Sequence, residues 1–110
     1  MLTGFYVLRG SGATKYTATF SRGGLSANFQ VQVLDLIGSP TDLGAAIEHK
    51  NFEDTAFLPA ASFPTISSIS VASLSVSNIK EQVRYAFTVA AASAWEGFYL
   101  LLPAPAWRPY

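Results

Sequence analysis

Side chains suited to acid–base chemistry near neutral pH are scarce in this sequence. His49 is its one histidine, and imidazole is the side chain whose unperturbed pKa lies closest to neutrality. Tetrahedral metal centres take two or more histidine or cysteine ligands at defined spacing, whereas the chain contains no cysteine. We therefore predict that His49 is a surface histidine near a strand end, and we assign it neither a catalytic nor a metal-binding role.

Glu53 and Asp54 form an adjacent carboxylate pair, and paired carboxylates can serve as general acid and base. Consecutive side chains in extended structure point to opposite faces, so this pair would not converge on a substrate. Calcium would require several spaced oxygen ligands, which the surrounding segment lacks. The segment predicts a polar loop, and an active site would require a pocket that brings His49 within hydrogen-bond distance of a carboxylate.

The glycine-containing stretch Arg9–Lys15 invites comparison with a phosphate-binding loop, because glycines let backbone N–H groups surround an anion. The Walker pattern requires Ser or Thr directly after the lysine and a helix at that point. Here the glycines lie between two strand-like segments, so we predict a hairpin turn. We predict no catalytic residue, no cofactor and no metal, and hence a protein that is not an enzyme.

The elements that would position any site are strands, because apolar and polar residues alternate with a period of two. Four apolar sets are predicted to face the core: Tyr16, Ala18 and Phe20; Phe29, Val31 and Val33; Leu43, Ala45 and Ile47; and Val83, Tyr85, Phe87 and Val89. Turn signals recur every ~8 to 14 residues, which is typical of a sandwich. The predicted fold is all-β, an antiparallel β-sandwich, jelly-roll-like, of about seven to eight strands.

Three local features complete the prediction. The alternation slips by one residue at Ala72 and Ser73, which predicts a β-bulge. The alanine-rich stretch Ala90–Trp95 is too short for a stable helix and predicts a turn or strand end. Three prolines after Leu102 favour an extended arm. We therefore predict a β-sandwich domain over residues 1–102 and an extended C-terminal arm over residues 103–110.

Composition indicates a surface that is covered by other molecules. Half of the residues are apolar and only 13% are charged, against about 25% in typical soluble proteins. Seven acidic residues balance seven basic ones without clustering, which argues against binding to nucleic acid or an anionic membrane. No apolar run approaches the ~20 residues of a membrane span, and glycines and an arginine interrupt the N-terminus where a signal peptide would be apolar. We expect synthesis in a cytoplasm.

The segments Phe20–Val33 and Ala46–Asn51, followed by the proline-containing end, resemble small structural proteins of tailed-bacteriophage virions. Within that group the chain is most similar in size and character to capsid decoration or cement proteins. The resemblance implies a β-sandwich or jelly-roll domain that forms homotrimers and binds the major capsid protein at the virion surface after synthesis in the host cytoplasm. A tail or head-completion component would share the same features.

Large side chains near both termini are the predicted partner-binding residues. Amphipathic aromatic anchors and an arginine that makes charge-assisted contacts are typical of interfaces. The predicted residues are Trp107, Arg108 and Tyr110 at the C-terminal end and Leu2, Phe5 and Tyr6 at the N-terminal end. Alternatively, both ends fold back onto their own domain. A different function, a carbohydrate-binding module, would require two or more of Trp95, Tyr99, Trp107 and Tyr110 on one open face.

Overall fold

The computed structural model describes residues 4–10, 12 and 14–109, so the predicted partner-binding residues Leu2 and Tyr110 lie outside the described residues. Strands β1 to β10 occupy Gly4–Arg9, Thr14–Tyr16, Phe20–Ser21, Ser26–Ile37, Asp42–Lys50, Leu58–Ser62, Val71–Val76, Gln82–Ala90, Gly97–Leu102 and Ala106–Arg108. They form two antiparallel sheets. Among the described residues, no helical segment has the length and apolarity of a membrane span.

The first sheet, sheet I, is built around the long strand β4. Gln32 of β4 pairs with Leu101 of β9 and with Val71 of β7, so β9 and β7 lie on opposite sides of β4. Ala27 pairs in the same way with β7 and β10, which places β10 on the same side as β9. The segment 103–105, with two prolines that lack a backbone N–H, separates β9 from β10. Sheet I therefore has the order β1, β9 with β10, β4, β7.

The second sheet, sheet II, is arranged similarly around β8. Thr88 of β8 pairs with Thr14 of β2 and with Gly44 of β5, and Val83 pairs likewise with β3 and β5. Strands β2 and β3 therefore share one side of β8, while β5 lies on the other side and β6 lies beyond it.

Counting β2 with β3 and β9 with β10 as one strand each leaves eight strands. Successive strands alternate between the sheets except for β5 and β6, which pair within sheet II, and this is the two-Greek-key order of a jelly roll. The predicted antiparallel, jelly-roll-like sandwich is confirmed. The connection over Arg9–Lys15 differs from the predicted hairpin. It joins β1 of sheet I to β2 of sheet II, because those strands pair with β9 and β8 and not with each other.

The core lies between the sheets and is formed by the predicted alternating residues of β4, β5 and β8. The set Tyr16, Ala18 and Phe20 was predicted wrongly, because only Phe20 is buried. The backbone N–H of Tyr85 donates to the hydroxyl of Thr17 at 3.0 Å, so a side chain replaces a backbone acceptor there. Strand β2 ends at this point, and the alternation of inward and outward side chains is offset before β3 begins.

The predicted bulge at Ala72 and Ser73 is wrong. Strand β7 pairs with β4 in an unbroken register. The slip in the pattern arises because Val71 faces outward while Ala72 and Leu74 face the core. Register shifts occur instead in β4 between residues 33 and 35 and in β5 between residues 47 and 48. The predicted turn after β8 is confirmed over residues 91–96.

The C-terminal segment differs from the separate arm expected over residues 103–110. Residues 106–108 form β10, which pairs with β4, and Trp107 packs against the core. Two glycines make room for this strand. A Cβ at Gly23 would lie 2.7 Å from the Trp107 ring, and one at Gly24 would overlap the backbone carbonyl of Arg108. The β-sandwich domain therefore includes β10.

Candidate functional site

Strands β1 and β9 differ from the other strands because their apolar residues are continuous. Residues 5–8 and 98–102 contain no polar side chain except the tyrosine hydroxyls. Continuous apolar strands are typical of sheets that are covered on both faces. In this structure the second sheet covers only the inner face of sheet I, so apolar side chains line its outer face as well.

We call this outer surface the apolar face. It comprises the outward side chains Phe5, Val7, Gln32, Leu34, Val71, Tyr99 and Leu101. The register places Phe5, Leu101, Gln32 and Val71 in one row across four strands. Phe5 is 64% exposed and Val71 is 59% exposed. An apolar surface that reaches across several strands in this way is typical of a protein interaction site.

The apolar face carries few charges. Arg9 and Asp35 both lie toward one end of it, on opposite sides of β9, and neither takes part in a salt bridge within the described part of the chain. Arg108 of β10 pairs with Ser26, about 20 Å along β4 from Gln32 at ~3.3 Å per residue. Depletion of charge at the centre with charges at the rim is the composition of a protein–protein interface.

Trp107, a predicted anchor for a partner, contacts its own domain. Its ring centroid lies 5.7 Å from that of Phe29 and 6.4 Å from that of Phe20, in edge-to-face geometry. Its Nε1 is buried and has no hydrogen-bond acceptor in the described part of the molecule. The alternative that the C-terminal end folds back onto its domain therefore applies to this residue.

The other predicted residues do not form one surface. Phe5 belongs to the apolar face, where its ring lies 5.9 Å from that of Tyr99. Tyr6 points inward and is half-buried, and burial raises the pKa of its hydroxyl. Arg108 is exposed at the far end of sheet I. Of the predicted residues that the structure describes, only Phe5 lies on the apolar face.

Sequence reasoning did not include Val7, Leu34 or Val71 among the candidate interaction residues, and it considered Tyr99 only for carbohydrate binding. The signal that could have found Val7 and Tyr99 is the continuous apolar run of each strand, because a half-buried strand alternates. Leu34 lies at the register shift of β4, where alternation no longer indicates direction. Val71 directly precedes Ala72 and Ser73, where the slip in the alternation was interpreted as a β-bulge.

His49 and the acidic loop form a structural cluster. The Nδ1 of His49 accepts a hydrogen bond from the backbone N–H of Lys80 at 3.2 Å. Burial, and secondarily the positive charge of Lys80, lower the pKa of His49. Asp54 accepts a hydrogen bond from the N–H of Asn51 at 2.9 Å, which confirms the polar loop. No group of three or more His, Cys, Asp or Glu among the described residues could hold a metal ion.

The outer face of sheet II differs from the apolar face because its charges are paired within the chain. The Arg84 guanidinium lies between the rings of Tyr16 and Phe57, at 3.8 and 4.0 Å. Its Nε and one terminal nitrogen both donate to Glu48 at 2.8 Å. An open groove of about 420 Å³ lies on this face over small residues of β5 and β8. The charge of Glu48, which lines this groove, is therefore already paired with Arg84.

The aromatic residues considered for carbohydrate stacking do not share a face. Trp107 faces the core, Trp95 lies in the turn before β9, and Tyr99 belongs to the apolar face. Tyr110 lies outside the described residues.

Comparison with protein-family models, with curated proteins and with solved structures finds no match. The geometry of the chain itself therefore carries the functional argument that follows.

Proposed function

We propose that this protein is a non-enzymatic structural protein of a virion, a capsid cement or decoration protein that binds the major capsid protein and copies of itself. The observation that carries the proposal is the apolar face of sheet I, which remains exposed in the single chain. This face includes the continuous apolar segments 5–8 of the edge strand β1 and 98–102 of the neighbouring strand β9. In a head, this face is buried between protein subunits.

Energetics supports a protein as the occupant of this face. Full burial of a Phe, Val or Leu side chain contributes about 1.5–3 kcal/mol, and Phe5, Val7 and Val71 are each more than half exposed in the single chain. A saccharide has hydroxyl groups that require polar partners, and the row across the face offers mainly the amide of Gln32. Apolar protein surface satisfies such a face without polar partners.

The fold is compatible with this role and does not select it, since jelly rolls occur in viral capsid proteins, in lectins and in cupins. The low charge content of the chain fits a subunit whose surface is covered in an assembly. A tail or head-completion component would use the same physical features, so the proposal has to be tested by location within the virion.

The test is quantitative mass spectrometry of heads and tails separated from virions of the virus that encodes the chain. We expect the chain in the head fraction, at a copy number in simple proportion to the major capsid protein. Its presence in tails alone would replace the cement role with the tail alternative. Its absence from purified virions would overturn the proposal.

A pair of matched variants tests the role of the apolar face. Phe5 on this face and Phe52 in the loop after β5 are 64% and 62% exposed, so Phe5→Ser and Phe52→Ser remove similar apolar surface. We expect Phe5→Ser to reduce incorporation into heads and Phe52→Ser to leave it unchanged. Equal incorporation of both variants would show that the face is not used.

A further inference from the structure

The position of the two unpaired charges indicates what covers the apolar face. Arg9 is at the end of β1, and Asp35 lies on β4, with β9 between them. Val7, Tyr99 and Asp35 form one row across the sheet, and Arg9 lies two residues beyond Val7 on the same outward side. The two charges are therefore separated by about 10 Å across the sheet and ~7 Å along it.

Such a surface carries a positive charge on one side of β9 and a negative charge on the other. It is therefore complementary to a second copy of itself. Consider a two-fold axis parallel to the strands and above β9, between two stacked copies of sheet I. The rotation places β1 of each copy over β4 of the other. Arg9 of one copy then lies over β4 of the other copy, about 7 Å along that strand from the partner's Asp35. An extended arginine side chain reaches across this distance.

The apolar side chains are matched by the same operation. Tyr99 and Leu101 of β9 lie beneath the axis and meet the same residues of the second copy. Val7 of β1 lies over the partner's Asp35 on β4, beside the register shift at which Leu34 is exposed. Both Arg9–Asp35 pairs form together, at the rim of an otherwise uncharged contact.

We propose that the apolar face binds a second copy of this chain across a two-fold axis, with reciprocal Arg9–Asp35 ion pairs. This inference rests on the proposed function and deepens it, because it names the subunit that covers the face. A single patch that meets itself requires a two-fold axis. The inference therefore gives a dimeric unit in place of the homotrimer that the resemblance implies.

The experiment is sedimentation velocity of the purified full-length chain over a range of concentrations. We expect a dimer whose dissociation constant rises by at least about tenfold in Arg9→Asp and in Asp35→Arg, because each change creates two like-charge contacts. The double variant R9D/D35R exchanges the charges and should restore most of the affinity. Arg108→Asp, which changes an exposed charge far along the sheet, is the matched control and should leave the constant unchanged.

Cross-linking tests the position of the axis independently of affinity. The chain contains no cysteine, so Tyr99→Cys and Leu58→Cys each introduce a single thiol. A short bis-maleimide should link two copies of Tyr99→Cys, whose thiols lie near the axis. It should not link Leu58→Cys, which is on the outer part of sheet II. Circular dichroism verifies that each variant is folded before its association is compared.

The outcomes separate this inference from the proposed function. A wild-type chain that is monomeric or trimeric at every concentration overturns the two-fold dimer, as does a double variant that fails to regain affinity. If such a chain is nevertheless found in heads, the cement role stands and only the dimer is lost. If dimers form and respond as expected but virions lack the chain, the dimer stands and the cement role is lost.

Discussion

Truncation of Trp107 should destabilise the domain although the residue lies three positions from the C-terminal residue of the chain. Trp107 makes edge-to-face contacts with Phe20 and Phe29 and covers Gly23. Truncating a fully buried aromatic residue to alanine typically costs 3–5 kcal/mol. Because Trp107 is only half-buried, we expect Trp107→Ala to lower the free energy of unfolding by about 2–4 kcal/mol.

The variant Trp107→Phe separates packing from the indole N–H. Phenylalanine retains a ring between Phe20 and Phe29 and removes the buried Nε1, which has no acceptor in the described residues. Leaving such a donor unsatisfied costs about 1–3 kcal/mol, which offsets the loss of apolar surface. We expect a net change below about 1 kcal/mol for this variant, and within about 0.5 kcal/mol for the exposed control Arg108→Ala.

The assay is urea unfolding monitored by far-ultraviolet circular dichroism at one fixed protein concentration. Fluorescence is unsuitable, because the substitution removes one of the two tryptophans. A fixed concentration is needed because association also stabilises the folded chain. If Trp107→Ala unfolds within 0.5 kcal/mol of the wild type, about the spread of neutral surface substitutions, β10 does not pack on its own domain in solution. The arm would then be available to another subunit.

Four further substitutions test other parts of the structure. Gly24→Ala should lower the free energy of unfolding by about 1–3 kcal/mol, because the added Cβ would overlap the backbone of β10. Gly44→Ala, whose Cβ would make only ordinary contacts from 3.7 Å, is the control and should leave the free energy of unfolding nearly unchanged in the same urea titration. Glu48→Gln should lower the free energy of unfolding by about 0.5–1.5 kcal/mol, because it weakens the ion pair with Arg84. A loss of stability that is equally large at high salt would contradict an electrostatic origin. Because the pKa of His49 is lowered in the folded chain, the unfolded chain binds a proton at a higher pH than the folded chain does. The free energy of unfolding should therefore fall as pH decreases through the usual histidine range. The slope should stay below about 1.4 kcal/mol per pH unit and flatten in His49→Gln; equal slopes would refute this linkage.

The core strands were predictable because their pattern is local. In β4, β5 and β8 every second residue is apolar, and the pleat sends those residues to one side whatever the rest of the chain does. The interruption between β2 and β3 was not predictable, since it depends on the Thr17 hydroxyl meeting the Tyr85 N–H, 68 residues away in sequence. The outward direction of Val71 likewise depends on its pairing with Gln32.

The sequence predicted the type of candidate site, an apolar interaction surface, but not the residues that form it. Low charge and abundant apolar residues indicated an interaction surface, whereas the described aromatic residues near the termini do not lie together, because Tyr6 and Trp107 pack against the core. An amphipathic tryptophan fits a core as well as an interface, and Trp107 packs in the core because Gly23 and Gly24 leave room for β10. Phe5 is the predicted residue that lies on the apolar face.

The sequence by itself determined the fold class and the excess of apolar surface, because alternation and composition are properties of the chain and do not depend on its partners. Only the tertiary structure decided which apolar surface remains exposed. In β1 and β9 both faces are apolar, so the pattern does not distinguish the core side from the outer side. The packing of sheet II against one face makes that choice and leaves Phe5, Val7 and Tyr99 on the other.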